Sequence, residues 1–125
     1  MITGSCLCGA VSLEIDGALP GASACHCRQC RKQSGHHWAS VHILRSALRL
    51  TCDEGLRWYQ SSEKVRRGFC GTCGAFLFWD PKVEDKISIS MGILDAPTGT
   101  HLEQHIFVAT KGDYYHISDD LPQSQ

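Results

Sequence analysis

The sequence predicts an all-β single domain built from many short strands with very little helix. Three observations carry this. Residues 11–16, "VSLEID", alternate cleanly, with Val11, Leu13 and Ile15 on one side and Ser12, Glu14 and Asp16 on the other. That is the period of a half-buried strand. "DKISISMG" repeats the pattern with Ile87, Ile89 and Met91. Turn signals then recur at short intervals: "DG" at 16–17, "LPG" at 19–21, "DEG" at 53–55, "DP" at 80–81 and "APTG" at 96–99.

Further strands are expected, in order, at Trp38–Ile43, Leu48–Thr51, Leu56–Tyr59, Val65–Phe69, Phe76–Trp79, Glu103–Val108 and Tyr114–Ile117. Helix is confined to short pieces, Cys27–Gln33 and Arg45–Ala47. The length, 125 residues, fits one domain spanning 1–125. The polar stretch 119–125, "DDLPQSQ" after Ser118, is expected to fray.

Composition narrows the function. The net charge is −1, so bulk charge argues for neither a nucleic-acid-binding nor a membrane-surface protein. No stretch approaches the roughly 18 apolar residues of a membrane span, and no basic region precedes an apolar run at the start. The reading is a cytoplasmic protein with no membrane partner. Against the even overall charge, residues 17–51 hold no Asp or Glu. They hold Arg28, Arg31, Lys32, Arg45 and Arg49 with His26, His36, His37 and His42.

Eight cysteines are the strongest signal. Without a secretion signal, metal binding is favoured over disulfides. Cys6 and Cys8 are two apart and project to one side of an extended chain. In "FCGTCG", Cys70 and Cys73 flank two residues, with Gly71 and Gly74 permitting a tight turn, the pattern of a zinc knuckle. Together the two pairs offer four soft ligands for a closed tetrahedral zinc.

"CHCRQC" offers three more. Extended chain puts Cys25 and Cys27 on one side, and a helical turn from Cys27 puts Cys30 there as well at i, i+3. His26 is then turned away. Three protein ligands and an unfilled fourth position is the arrangement of a catalytic zinc. Two other pairings fit the same spacings. Cys27 and Cys30 could join Cys70 and Cys73 as a zinc ribbon, or Cys52 or a histidine could close the triplet. Cys52 otherwise reads as a small buried apolar residue, and Trp38, Trp58, Phe78 and Trp79 as sheet packing, with Trp38 also placed to wall the site.

The segments "GSCLCGAVSLEI", "CHCRQCRKQSG", "FCGTCGAFLFW" and "HIFVATKGDYYHISDDLP" resemble the glutathione-dependent formaldehyde-activating enzyme family, which also includes centromere protein V. The resemblance covers Gly4 to Pro122. It implies a β-tent fold of short antiparallel sheets. It implies two zinc ions, a structural one on Cys6, Cys8, Cys70 and Cys73 and a catalytic, labile one on Cys25, Cys27 and Cys30. It implies a carbon–sulfur lyase acting on adducts of a small-molecule thiol and an aldehyde, glutathione and formaldehyde being the named pair. A homodimer is compatible with it. The chain departs from the pattern at His36–His37, at Ala75–Phe76 and at Tyr114.

Three thiolates leave a zinc centre at about −1, which suits a soft thiol as fourth ligand, and a metal-held thiol is deprotonated. Metal polarisation of the aldehyde carbonyl is the other role. Arg28, Arg31 and Lys32 are candidate contacts for an anionic co-substrate such as glutathione; they equally serve to offset the cluster's charge. His36 and His37, with His42, are candidate proton donors, and His37 is also a candidate fourth ligand. His101, His105 and His116 receive no role. The competing function is a non-enzymatic zinc-binding module for a protein or nucleic-acid partner, and a weaker one is a thiol redox sensor.

Overall fold

A computed structural model describes residues 1–125. The strands are β1 (Ile2–Ser5), β2 (Ser12–Ile15), β3 (Ala22–Cys25), β4 (Trp38–Leu44), β5 (Leu48–Cys52), β6 (Leu56–Gln60), β7 (Arg66–Cys70), β8 (Phe76–Asp80), β9 (Lys86–Ser90) and β10 (Leu102–Ile106). The single α-helix, α1, is Arg28–Ser34, and three 3-10 turns cover Arg45–Ala47, Met91–Ile93 and Val108–Thr110. This is the nearly all-β domain expected. No helix is long and apolar enough to cross a membrane.

A three-stranded sheet runs β1-β2-β5, and a seven-stranded sheet runs β10-β3-β4-β9-β8-β7-β6. All pairings are antiparallel except β10 with β3, which are parallel with His105 opposite Ala24 and Ile106 opposite Cys25. Sequence reading missed β1 and β3. Their residues, "ITGS" and "ASAC", are small or polar and carry no clear apolar alternation, so pairing with neighbours decides them.

The main core lies on one face of the large sheet. Leu13 and Ile15 of β2 meet Val41, Ile43, Ile87 and Ile89 there, all buried. Strand periodicity sends the alternate residues to the opposite face. On β9 those are Ser88 and Ser90; on β4, Trp38, Ser40 and His42; on β3, Ser23 and Cys25. That opposite face carries the site. Met91, expected to extend the apolar side of β9, begins a 3-10 turn instead.

Two expectations fail at the C-terminus. Tyr114–Ile117 is not a strand. Residues 119–125 do not hang free: His105 N–H donates to Pro122 O at 2.9 Å, Ser124 N–H to His105 O at 2.9 Å, and Val108 N–H to Ser124 O at 3.1 Å. The tail is polar, but the edge of β10 offers its unpaired backbone groups partners.

Candidate metal centres

The first cysteine group is built from two tight turns. The chain leaves β1 at Cys6, and Cys6 N–H bonds Val11 O at 2.9 Å, closing a loop that holds Cys6 and Cys8 together. The knuckle between β7 and β8 is closed by Gly74 N–H to Cys70 O at 2.8 Å, with Gly74 at φ 83°, a conformation glycine adopts without strain. Gly55 supports it from below. A Cβ there would lie 2.9 Å from Cys70 Sγ and 2.8 Å from Ala10 Cβ.

The four sulfurs of Cys6, Cys8, Cys70 and Cys73 all lie within 4.8 Å of one another. Cys6 Sγ is 3.7 Å from Cys8 Sγ, and Cys8 Sγ is 3.8 Å from Cys70 Sγ. A tetrahedral zinc with bonds of about 2.3 Å requires sulfur–sulfur edges of about 3.8 Å. The donor set therefore fits. Backbone amides point at the sulfurs: Val11 at Cys6 (3.3 Å), Thr72 at Cys70 (3.4 Å) and Cys73 at Cys70 (3.5 Å). The amides of Cys73 and Thr72 hold the Cys70 thiol below its usual range, and those of Ala75 and Cys8 bring Cys73 down to about 6.

The second group assembles from Cys25, at the end of β3, and both ends of the first turn of α1. Cys27 is the helix N-cap, in extended conformation, and its sulfur accepts the Cys30 N–H at 3.3 Å. Gly35 closes the helix at φ 90°. Extended Cys25–Cys27 and helical Cys27–Cys30 thus converge, and the three sulfurs lie within 4.8 Å of one another. No carboxylate, histidine or further cysteine joins them. The ribbon pairing and the closure by Cys52 are excluded: Cys52 Sγ instead donates to Ala10 O at 3.3 Å.

Electrostatics make this cluster uneven. Hydrogen bonds from the Cys25 and Cys30 thiols pull the Cys27 thiol far below its usual range, and the same bonds from Cys27 and Cys30 push Cys25 up. Arg67, on β7, supplies a cation. It is 4% exposed, and its Nη1 lies 3.5 Å from Cys30 Sγ and 3.4 Å from Gln33 Oε1. A buried guanidinium needs a compensating charge, and the thiol cluster provides one. Sequence reading missed Arg67 because it sits in a strand among ordinary alternating residues, far along the chain.

The triplet opens into a cavity of about 570 Å³ walled by Trp38 and Trp79, with His42, Lys86 and Gln104 also lining it. Trp38 stacks on Phe76 at 4.4 Å and donates to Ser90 Oγ at 2.6 Å, so it is both packing and wall. A second cavity of about 560 Å³ shares Arg67 and Gln29 with the first; Arg28 and Lys32 line it, and no acidic residue does. Arg31 lines neither.

His36 and His37 are not where the sequence reading put them. Neither lines the cavity nor joins the sulfurs. Their rings cluster with Tyr115, at 4.4 Å and 5.9 Å. The His37 ring also lies 4.9 Å from that of His26. His42 is the histidine that lines the cavity; its Nδ1 lies 2.9 Å from Ser88 Oγ, and partial burial, then Lys86, lower its pKa. His26 turns away from the sulfurs as expected, but into a buried contact with His105, to which sequence reading gave no role.

Comparison with known proteins gives three findings. The family model described as glutathione-dependent formaldehyde-activating enzyme matches residues 1–110. A Schizosaccharomyces pombe protein described as an uncharacterized lyase is 31% identical over 76 residues, 61% of this chain and 55% of that protein. The match thus spans about half the length of this curated relative. The crystal structure of a Rhodobacter sphaeroides protein is similar with a TM-score of 0.64 and 26% identity, covering 79% of this chain and 98% of that one.

Proposed function

The chain belongs to the glutathione-dependent formaldehyde-activating enzyme family, and on that premise we propose that it is a zinc-dependent carbon–sulfur lyase acting on thiol–aldehyde adducts. The observation that carries this is a single one. Three cysteine sulfurs converge at the wall of a 570 Å³ cavity with no fourth protein ligand. The four-cysteine group has its ligand count filled and serves structure, tying the N-terminal turn to the β7–β8 knuckle.

A divalent metal at the triplet supplies Lewis acidity and an open position for a soft ligand. The chain's own residues supply the rest. Arg67 holds a fixed positive charge beside Cys30 and favours a substrate thiol in its thiolate form. In the addition direction the thiolate sulfur attacks the aldehyde carbon, a carbon–sulfur bond forms, and the carbonyl electron pair moves to oxygen, which takes a proton. In cleavage the hydroxyl loses that proton, the carbonyl re-forms and the carbon–sulfur bond breaks.

His42 is the proton carrier in this reading. Its lowered pKa keeps the imidazole neutral at pH 7, so it accepts the hydroxyl proton in cleavage and returns it in addition. Trp38 and Trp79 exclude water around the small aldehyde carbon. Arg28 and Lys32, with Arg67, give the second cavity a positive lining suited to the carboxylates of a thiol such as glutathione.

Metal content and turnover measured together test the reading. Two zinc ions per chain are expected, with Cys27→Ser losing one zinc and the activity while keeping the fold. If Cys25→Ser, Cys27→Ser and Cys30→Ser each leave turnover of every thiol–aldehyde pair unchanged, the reading is wrong.

A further inference from the structure

We infer that the C-terminal segment is the positioning element of the three-cysteine centre, acting through the hydrogen-bonded chain Asp119–His105–His26–Tyr115 to orient Cys25 and Cys27. This rests on the reading that the triplet holds a metal.

His26 stands between two of the three sulfur-bearing residues and is fully buried. Its backbone N–H donates to Ile106 O at 3.0 Å. Its Nε2 lies 2.8 Å from His105 Nδ1, and its Nδ1 is hydrogen-bonded to the Tyr115 hydroxyl. His105, 4% exposed, reaches Asp119 with Nε2, at 3.1 Å to Oδ1 and 3.0 Å to Oδ2.

For neutral rings, donor logic fixes the direction of every bond. A carboxylate only accepts, so His105 Nε2 carries the proton. A neutral His105 then accepts at Nδ1, His26 donates from Nε2, and His26 Nδ1 accepts from the Tyr115 hydroxyl. Each ring nitrogen of both imidazoles has one partner residue. No second arrangement satisfies every group with neutral rings and an ionised carboxylate. His26 therefore has one ring orientation, and the backbone on either side of it has little freedom.

The far end of the chain is itself anchored. Asp119 Oδ1 accepts the Leu121 N–H at 3.0 Å. Lys111 Nζ donates to Tyr115 O at 2.7 Å and lies 4.8 Å from the Tyr115 ring centre. The tail pairs with β10, and β10 pairs in parallel with β3, in register at Ile106 and Cys25. Nothing comparable reaches the four-cysteine group, which lies against the main core on the other face of the sheet. The tail thus contacts His26, the residue between Cys25 and Cys27, and β10, which pairs with the strand that ends at Cys25.

Groups that orient metal ligands without touching the metal change affinity by about 10- to 100-fold when removed. The test is cobalt titration of the full chain, in which a four-sulfur centre and a three-sulfur centre have distinguishable visible spectra, with chelator competition giving each affinity. Tyr115→Phe and Asp119→Ala are expected to weaken the three-sulfur centre about tenfold and leave the four-sulfur centre unchanged. Asp119→Asn, which keeps an acceptor for His105, should recover most of the loss. Tyr115→Phe guards against misfolding, since it removes one oxygen only. Unchanged affinities at both centres, or equal losses at both, overturn the positioning role. Wild-type protein that takes up cobalt only at the four-sulfur centre overturns the metal reading of the triplet, and this inference with it.

Discussion

Arg67 Nη1 lies 3.5 Å from Cys30 Sγ, although the two residues are 37 positions apart and on different elements. The pair joins a helical turn to a sheet strand and puts a buried cation behind the thiol cluster. Replacing Arg67 with Gln keeps much of the bulk and removes the charge. Turnover should fall by about 100-fold, the scale of one lost electrostatic contact in a water-poor site. Circular dichroism should remain that of the wild type. Unaltered kcat in Arg67→Gln would remove this residue from the mechanism.

The second cavity predicts substrate selectivity. Replacing Arg28 and Lys32 together with Ala removes two exposed charges worth about 0.5–1 kcal/mol each toward an anion. KM for glutathione should rise roughly tenfold, and KM for a neutral thiol should stay put. The wild-type preference for the anionic thiol should also weaken with added salt. Equal effects on both thiols would count against an anion-binding cavity.

His42 predicts a pH profile. Its pKa lies below the ordinary histidine value, and the base form does the work in cleavage. Cleavage should therefore stay flat as pH falls through about 6.5 and decline only below that. In His42→Asn the rate should drop by about 100-fold and that acid limb should vanish. A limb that persists in the variant would assign the titration to another group.

Asp80 predicts acid behaviour of the fold. It is fully buried and takes Arg45 and Arg66 at 2.8 Å each, plus the Lys82 N–H at 2.9 Å. Burial alone would raise its pKa, but the two arginines outweigh it and hold the carboxyl below its usual range. Its contribution is therefore complete above about pH 4 and is lost as pH falls through the folded value. The arginine side chains are about a third exposed (37% and 35%), so Asp80→Asn should cost only about 2 kcal/mol at pH 7. Urea midpoints should show that gap closing below pH 4.

Gly55 predicts a packing limit under the four-cysteine centre. Gly55→Ala forces a methyl against Cys70 Sγ and Ala10 Cβ, both closer than 3.0 Å. The expected cost is about 1–3 kcal/mol with weaker metal retention at that centre, read by thermal melting and chelator-driven zinc release. A wild-type melting curve would show that the turn yields.

The sequence by itself determined the strand class, and it offered the two cysteine groupings and the convergence of Cys25, Cys27 and Cys30 beside a ribbon pairing and a closed triplet. Those depend on spacings of two and three residues, which backbone geometry converts directly into shared faces. It also carried the family, because the glycine and cysteine positions are local. Only the tertiary structure decided what surrounds the triplet. Arg67 reaches it from β7 and His42 lines the same cavity from β4, while His36 and His37, six and seven residues beyond Cys30, cluster with Tyr115 instead. His105 and Tyr115 meet His26 from 79 and 89 residues away, with Asp119 behind His105, through sheet pairing that has no local signature. Contacts fixed by spacing were legible; contacts fixed by which strands lie side by side were not.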